Sequence, residues 1–281
     1  MRQLVLRSEL LRLVRLEVET QLPRPRTWLA LGFAALVPVL ITAAFAVGGT
    51  PSATGGVNET DFLLVATRSG LDMPLAALST MAPFLLVVLV SLFGGEALSG
   101  EASSGRLRAL LARPVSRGKL LAAKALVAVG LSVVACVEVS LAGLASGVAA
   151  FGWHRVVTPE LVTYSEWASM ERIALATVYV IVSLAGVGAF SLLVSTFTDS
   201  VIGAVSAGMA FAIVSEILDS IPALGSIRDG LPTHYMTAWG GLFLQPAETG
   251  PMITGLIVQA PYVLVCILVA WWWFRHKDVL S

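Results

Sequence analysis

The sequence predicts an all-α integral membrane protein with six transmembrane helices, and three observations carry that prediction. Hydrophobic residues make up 57% of the 281 positions and charged residues 13%, with a mean hydropathy of +0.85. One soluble core of this size could not hide so much apolar surface, so the bilayer must act as solvent. The apolar residues fall into six stretches, each near the roughly 20 residues that a helix needs to cross about 30 Å of hydrocarbon. Finally, the basic residues flank those stretches on one side far more than on the other.

The spans run approximately over residues 28–47, 75–93, 120–150, 173–197, 201–218 and 252–274. Pro38 and Pro83 fall inside the first and second; neighbouring helices can satisfy the backbone they disturb, so they predict kinks rather than breaks. Six crossings put both termini on one side. Fourteen of the Lys and Arg residues lie in the N-terminal segment, the loop after span two with Lys124 just beyond it, and the C-terminal tail, against Arg68, Arg155, Arg172 and Arg228 on the opposite face. The positive-inside rule therefore makes both termini cytoplasmic.

Arg2, Arg7, Arg12 and Arg15 are spread among leucines, unlike the short charged segment and apolar core of a secretory signal, so this stretch is expected in the mature protein. Leu4, Leu11, Val14, Val18 and Leu22 recur at helical spacing, and Pro23 and Pro25 end the pattern. Residues 1–27 thus predict an amphipathic interfacial helix, with 28–281 as the six-helix transmembrane domain. On the outer side, Trp153, Tyr164 and Trp167 suit headgroup level. The apolar run Leu231 to Leu244 is too short to cross and predicts a re-entrant or interfacial element.

The net charge is zero, which gives no reason to expect a nucleic-acid partner. Cys136 and Cys266 lie deep in apolar runs and read as small buried hydrophobes. No catalytic constellation is present: there is no His-Glu-x-x-His helix for zinc and no Gly-x-Ser-x-Gly elbow. Gly118-Lys119 is followed by Leu120, so the Ser or Thr that completes a phosphate loop is missing. The expectation is a non-enzyme that holds no cofactor or metal of its own.

The informative segment lies between spans two and three and reads GGEALSGEASSGRLRALLARPVSRGKLLAAK. Leu107, Leu110 and Leu111 share one helical face flanked by Arg106, Arg108 and Arg113, and Pro114 should end that helix. As composition alone, this is equally a cytoplasmic loop whose arginines fix topology. Yet an acidic residue, a glycine, a Leu-rich stretch, Pro-Val-Ser-Arg and a lysine opening the next span resemble the permease subunits of type-2 ATP-binding-cassette (ABC-2) exporters. Glu101, Gly105, Leu107, Leu110, Leu111, Pro114, Val115, Ser116, Arg117 and Lys124 match that pattern. Arg106 stands where the family commonly has Thr, so a local cap or contact differs.

The resemblance implies a cytoplasmic coupling helix over Glu101 to Arg117, seated in a cleft of a separate ATPase present in two copies, which would bind the ATP and Mg. It further implies a second permease copy or homologue in the bacterial cytoplasmic membrane, with outward transport by alternating access. An apolar path would suit an amphiphilic drug, lipid or peptide. The same loop would serve a mechanotransmitter that remodels a partner on the outer face. A secondary transporter would instead need inverted repeats, which are not evident here.

Polar and small residues inside the spans complete the reading. Glu138 lies about 21 Å past Lys124 along span three at about 1.5 Å per residue, well inside the membrane. An ionisable group there faces either the substrate path or a neighbouring helix. Gly143 with Gly147 in span three, and Gly203 with Ala207 or Ala204 with Gly208 in span five, are small-xxx-small pairs suited to close packing within the chain or at a dimer interface. Glu216 and Asp219 are expected at the membrane interface, and Asp199 in the turn before span five.

Overall fold

The computed structural model describes residues 2–49, 62–64, 66–105, 116–156 and 163–276, with the side chains of residues 2–8 and of Leu64 not described. Six helices are long and apolar enough to cross a membrane: Pro25–Gly48, Met73–Ser103, Arg117–Phe151, Glu166–Phe197, Val201–Asp219 and Gly250–His276. They are spans one to six, and the chain is an all-helical multi-pass membrane protein. A further helix, Arg2–Gln21, precedes span one.

Each boundary has a local cause. Leu22, Pro23 and Arg24 separate the N-terminal helix from span one, and Pro25 opens that span, where its missing N–H costs nothing. Gly49 and Gly152, both at positive φ (72° and 77°), close spans one and three. Spans four and five start on serine caps: Ser165 accepts from the Ala168 N–H and Ser200 from the Gly203 N–H. The predicted kink at Pro83 takes the form of a π-helical turn over Ala82–Leu86, as expected where a ring displaces the regular hydrogen bond. Pro38 is accommodated within span one without interrupting the helix.

Spans two and four form the centre. Of the apolar stretch of span two 61% is buried and of span four 56%, against 22% for spans one and five and 17% for span six. Exposed leucines, isoleucines and valines such as Val39, Leu40, Ile213, Ile257 and Leu268 cover the outer spans, which suits hydrocarbon rather than water. Small residues set the close contacts. A β-carbon on Gly147 would lie 2.5 Å from the Gly70 carbonyl, and one on Gly143 would lie 3.1 Å from Pro74, so this pair packs span three on the start of span two. Likewise Gly208 meets Ser191 and Ser91.

Span four is interrupted at Leu184, between helical segments Glu166–Ser183 and Ala185–Phe197. Gln259 of span six bridges the break, donating from Nε2 to the Ser183 carbonyl (2.7 Å) and to the Pro232 carbonyl (2.5 Å). The segment between spans five and six, read as re-entrant or interfacial, is a cap made of two 3-10 stretches, Pro222–Gly230 and Ala238–Phe243. Trp239 and Phe243 are buried and pack on Phe62, with ring centroids 5.1 and 5.2 Å away. Tyr164, expected at headgroup level, is buried too: its ring meets Phe243, Arg172 lies over it at 4.1 Å, and its hydroxyl donates to the Leu244 carbonyl. Trp153 and Trp167 are exposed. Cys136 and Cys266 are buried free thiols.

Candidate functional site

Span two continues one helix past its predicted end at Phe93, as far as Ser103, and so carries Glu96 and Glu101 with it. Span three starts at Arg117, so Lys124 lies about two turns inside it rather than at its opening. The N-terminal helix lies against span three. Together these elements bury five charged side chains, Glu17, Arg24, Glu96, Glu101 and Lys124, and the Gln21 amide at the end of the bundle from which the loop 106–115 leaves, with the exposed Arg26 at their edge.

Lys124 is the hub. Its side chain is 0% exposed, and its Nζ stands 2.9 Å from Glu17 Oε2 and 2.6 Å from Glu101 Oε1. Glu17 accepts from Gln21 Nε2 at 3.0 Å, and Gln21 Oε1 in turn accepts from Arg24 Nη1 at 2.9 Å. Arg24 Nη1 and Arg26 Nε both reach Glu96 Oε1, at 2.5 and 2.8 Å. The N-terminal helix, the start of span one, the end of span two and span three are thereby tied into one network whose three carboxylates and three cations balance. Lys119, one turn nearer the end, pairs with Glu9.

Such a cluster is poor at adding net stability, since desolvating the ions offsets their attraction, but removing one partner strands the others at a cost of about 3–5 kcal/mol. Its consequence is geometric. It fixes the last turns of span two against the first turns of span three, on either side of the loop. Two atoms, Glu101 Oε2 and Arg24 Nη2, are buried without a hydrogen-bond partner. A void of about 10 Å3 bordered by Gln21, Glu96 and Lys124 has room for a single water.

Around the loop, Gly105 adopts φ 70° as the chain leaves span two, and the Ser116 carbonyl accepts from the Lys119 and Leu120 N–H groups as span three begins. Arg117 Nη1 donates to the Arg275 carbonyl of span six. Arg106, Leu107, Leu110, Leu111, Pro114 and Val115, the body of the expected coupling helix, lie outside the described residues. Of the stripe read on the N-terminal helix, Leu11 and Leu22 are exposed while Val14 and Val18 are half-buried, and the side chain of Leu4 lies outside the described residues.

Glu138 is half-buried on a face of span three shared with Val134, Val137 and Leu141, and its Oε2 is enclosed without a hydrogen-bond partner. Gly203 is exposed and meets only its own turn residues Ser200 and Thr198, and Ala207 is half-buried; the inward pair is Ala204 and Gly208. Asp219, expected near the interface, receives His234 Nδ1 and Arg228 Nε at 2.5 and 3.3 Å and so pins the cap between spans five and six to span five. Among the described residues no three His, Cys, Asp or Glu side chains are grouped to hold a metal.

Sequence reading missed Glu17, Gln21, Arg24, Arg26 and Glu96 as site residues. Arg24, Arg26 and Lys124 entered only as flanking charges or as part of a motif. The signal was present: Glu96 and Lys124 each interrupt an apolar run, and opposite charges embedded at one depth need partners.

Comparison with curated proteins finds no match. Residues 36–280 match the family model described as "Protein of unknown function (DUF2705)", and the chain therefore belongs to that family.

Proposed function

We propose that this chain is the membrane-spanning permease of an exporter of the ABC-2 kind, driven by a separate ATPase that docks on the loop between spans two and three. The observation that carries the reading is the buried Lys124 junction. Glu101 and Lys124 occupy the two helices that flank the loop, and Glu17 adds the N-terminal helix to the same cation. A push on a helix within residues 106–115 would then reach spans two and three as one body instead of being lost in a flexible hinge. The leucine ridge of that loop suits a groove, and its arginines suit acidic groups at the rim.

In this reading the arginine-rich end of the bundle faces the cytoplasm, and the N-terminal helix lies along the inner membrane surface with Leu11 and Leu22 toward the lipid. The exposed side of span five, with Gly203 and Ala207, faces a second permease copy. Glu138 lines the path of an amphiphilic substrate.

The test is co-purification of the full-length chain with a candidate partner ATPase, together with ATP turnover and outward movement of an amphiphilic dye in cells. The wild type is expected to retain the ATPase. Leu110→Asp with Leu111→Asp should release it while the permease itself stays folded and in the membrane. Equal ATPase recovery with the double variant, or ATP hydrolysis by the permease alone, contradicts the proposal.

A further inference from the structure

Spans three, four and six do not close on one another in the middle of the bundle. They leave a cleft of about 260 Å3 walled by Ala125, Val129, Ala185, Ala189, Val263 and Ile267, with Val90 and Gly94 of span two behind. Ser132 and Cys136 are its polar side chains, and the Ser132 hydroxyl already donates to the Ala128 carbonyl. Water needs two to four polar partners to occupy a cavity, and an empty apolar void costs stability in proportion to its volume. Hydrocarbon meets neither penalty.

The dimensions and the chemistry at one end narrow the occupant. Along span three the cleft runs from Ala125 to Cys136, about 16 Å at about 1.5 Å per residue, which is about half of a 30 Å hydrocarbon core and so the depth of one leaflet. Below Ala125 and Ile267 the same faces of spans three and six meet: a β-carbon on Gly118 would lie 2.9 Å from Trp271 Nε1. Just beyond that contact, the Arg275 guanidinium stacks over Trp271 at 4.5 Å, and Arg117 reaches the Arg275 carbonyl at 3.3 Å. From Ala125 to Arg117 is about 12 Å along span three at about 1.5 Å per residue, so two guanidinium groups and an indole stand on the surface side of the cleft, within a phospholipid's length of it for a lipid that passes outside the contact of Gly118 with Trp271.

We infer that this seam binds one anionic phospholipid, with an acyl chain in the cleft and its phosphate at Arg117 and Arg275. Basic groups between helices at the membrane surface recognise such headgroups, and tryptophan anchors at that level. The inference stands on the seam itself and does not require the transport reading.

The experiment uses the full-length protein in nanodiscs containing phosphatidylglycerol with a photoactivatable group midway along one acyl chain, followed by mapping of the adducts. Adducts are expected between Ala125 and Cys136 and at Val263 or Ile267. Unlabelled phosphatidylglycerol should compete about 25-fold better than phosphatidylcholine, because each of the two basic groups near the surface favours an anionic lipid by about fivefold. Ala125→Phe should abolish these adducts. Arg117→Gln with Arg275→Gln leaves the cleft untouched and should keep the adducts while erasing the preference for phosphatidylglycerol. Adducts spread evenly over the exposed faces of spans one and five, or equal competition by both lipids, would overturn the assignment.

Discussion

The two ends of the bundle hold their helices by opposite means. At the end where the loop 106–115 leaves, four elements meet on charges: Lys124 between Glu17 and Glu101, and Glu96 between Arg24 and Arg26. At the other end Phe62, Trp239, Phe243 and Tyr164 meet as rings. Aromatic packing loses energy gradually as atoms are removed, and the surrounding side chains can partly relax into the space. A buried ion network behaves as a unit, because each ion is tolerable only while its partners remain. The first suits a plug that keeps its shape; the second suits a joint that must hold one geometry under load.

Substitutions can break this contrast, and the largest effect is expected at its hub. Lys124→Met should cost about 4 kcal/mol by stranding two buried carboxylates, read as loss of thermal stability in detergent. Adding Glu17→Gln and Glu101→Gln to it should return most of that loss, since neutral amides need no counter-ion. If the triple variant is less stable than Lys124→Met alone, the pairing assigned to Lys124 is wrong.

At the opposite end, Phe243→Ala should cost about 3 kcal/mol through the cavity it leaves. No second substitution of a charged residue should repair it, and a refilling change such as Leu242→Phe is the kind that could. Gln259→Leu should cost about 2 kcal/mol, because the Ser183 and Pro232 carbonyls would lose their shared donor; proteolysis of the cap between spans five and six is a sensitive readout. The smallest effect belongs to Lys119→Ala. Its pair with Glu9 is partly solvated, so the stability change should stay below about 1 kcal/mol and vanish at high salt.

The same contrast explains what could be read in advance. Long apolar runs identify spans because nothing but a bilayer absorbs them, and all six predicted stretches lie within described helices. The end of span two was set too early because Glu96 and Glu101 look like an exit from the membrane. Their cations lie far along the chain, at Arg24, Arg26 and Lys124, and no local periodicity records such pairing. The aromatic cap was opaque for a related reason. Phe62, Tyr164 and Trp239 come from three separate connections; the run that holds Trp239 reads as re-entrant or interfacial, but nothing local to any of the three records that the rings meet, and only their meeting buries Tyr164. Gly143 and Gly147 were legible as close-packing positions, but their partner, the Gly70 to Pro74 turn, was not.

An ATPase inside the cell can reach the loop between spans two and three only if that loop lies on the cytoplasmic side of the membrane. With Cys136→Ser and Cys266→Ser as background, Leu110→Cys can be probed with a membrane-impermeant maleimide in intact cells and in inverted vesicles. Labelling in the vesicles, with none in intact cells, is the predicted result. Labelling in intact cells would put the loop and the Lys124 junction outside, beyond reach of any cytoplasmic ATPase, and would contradict the account.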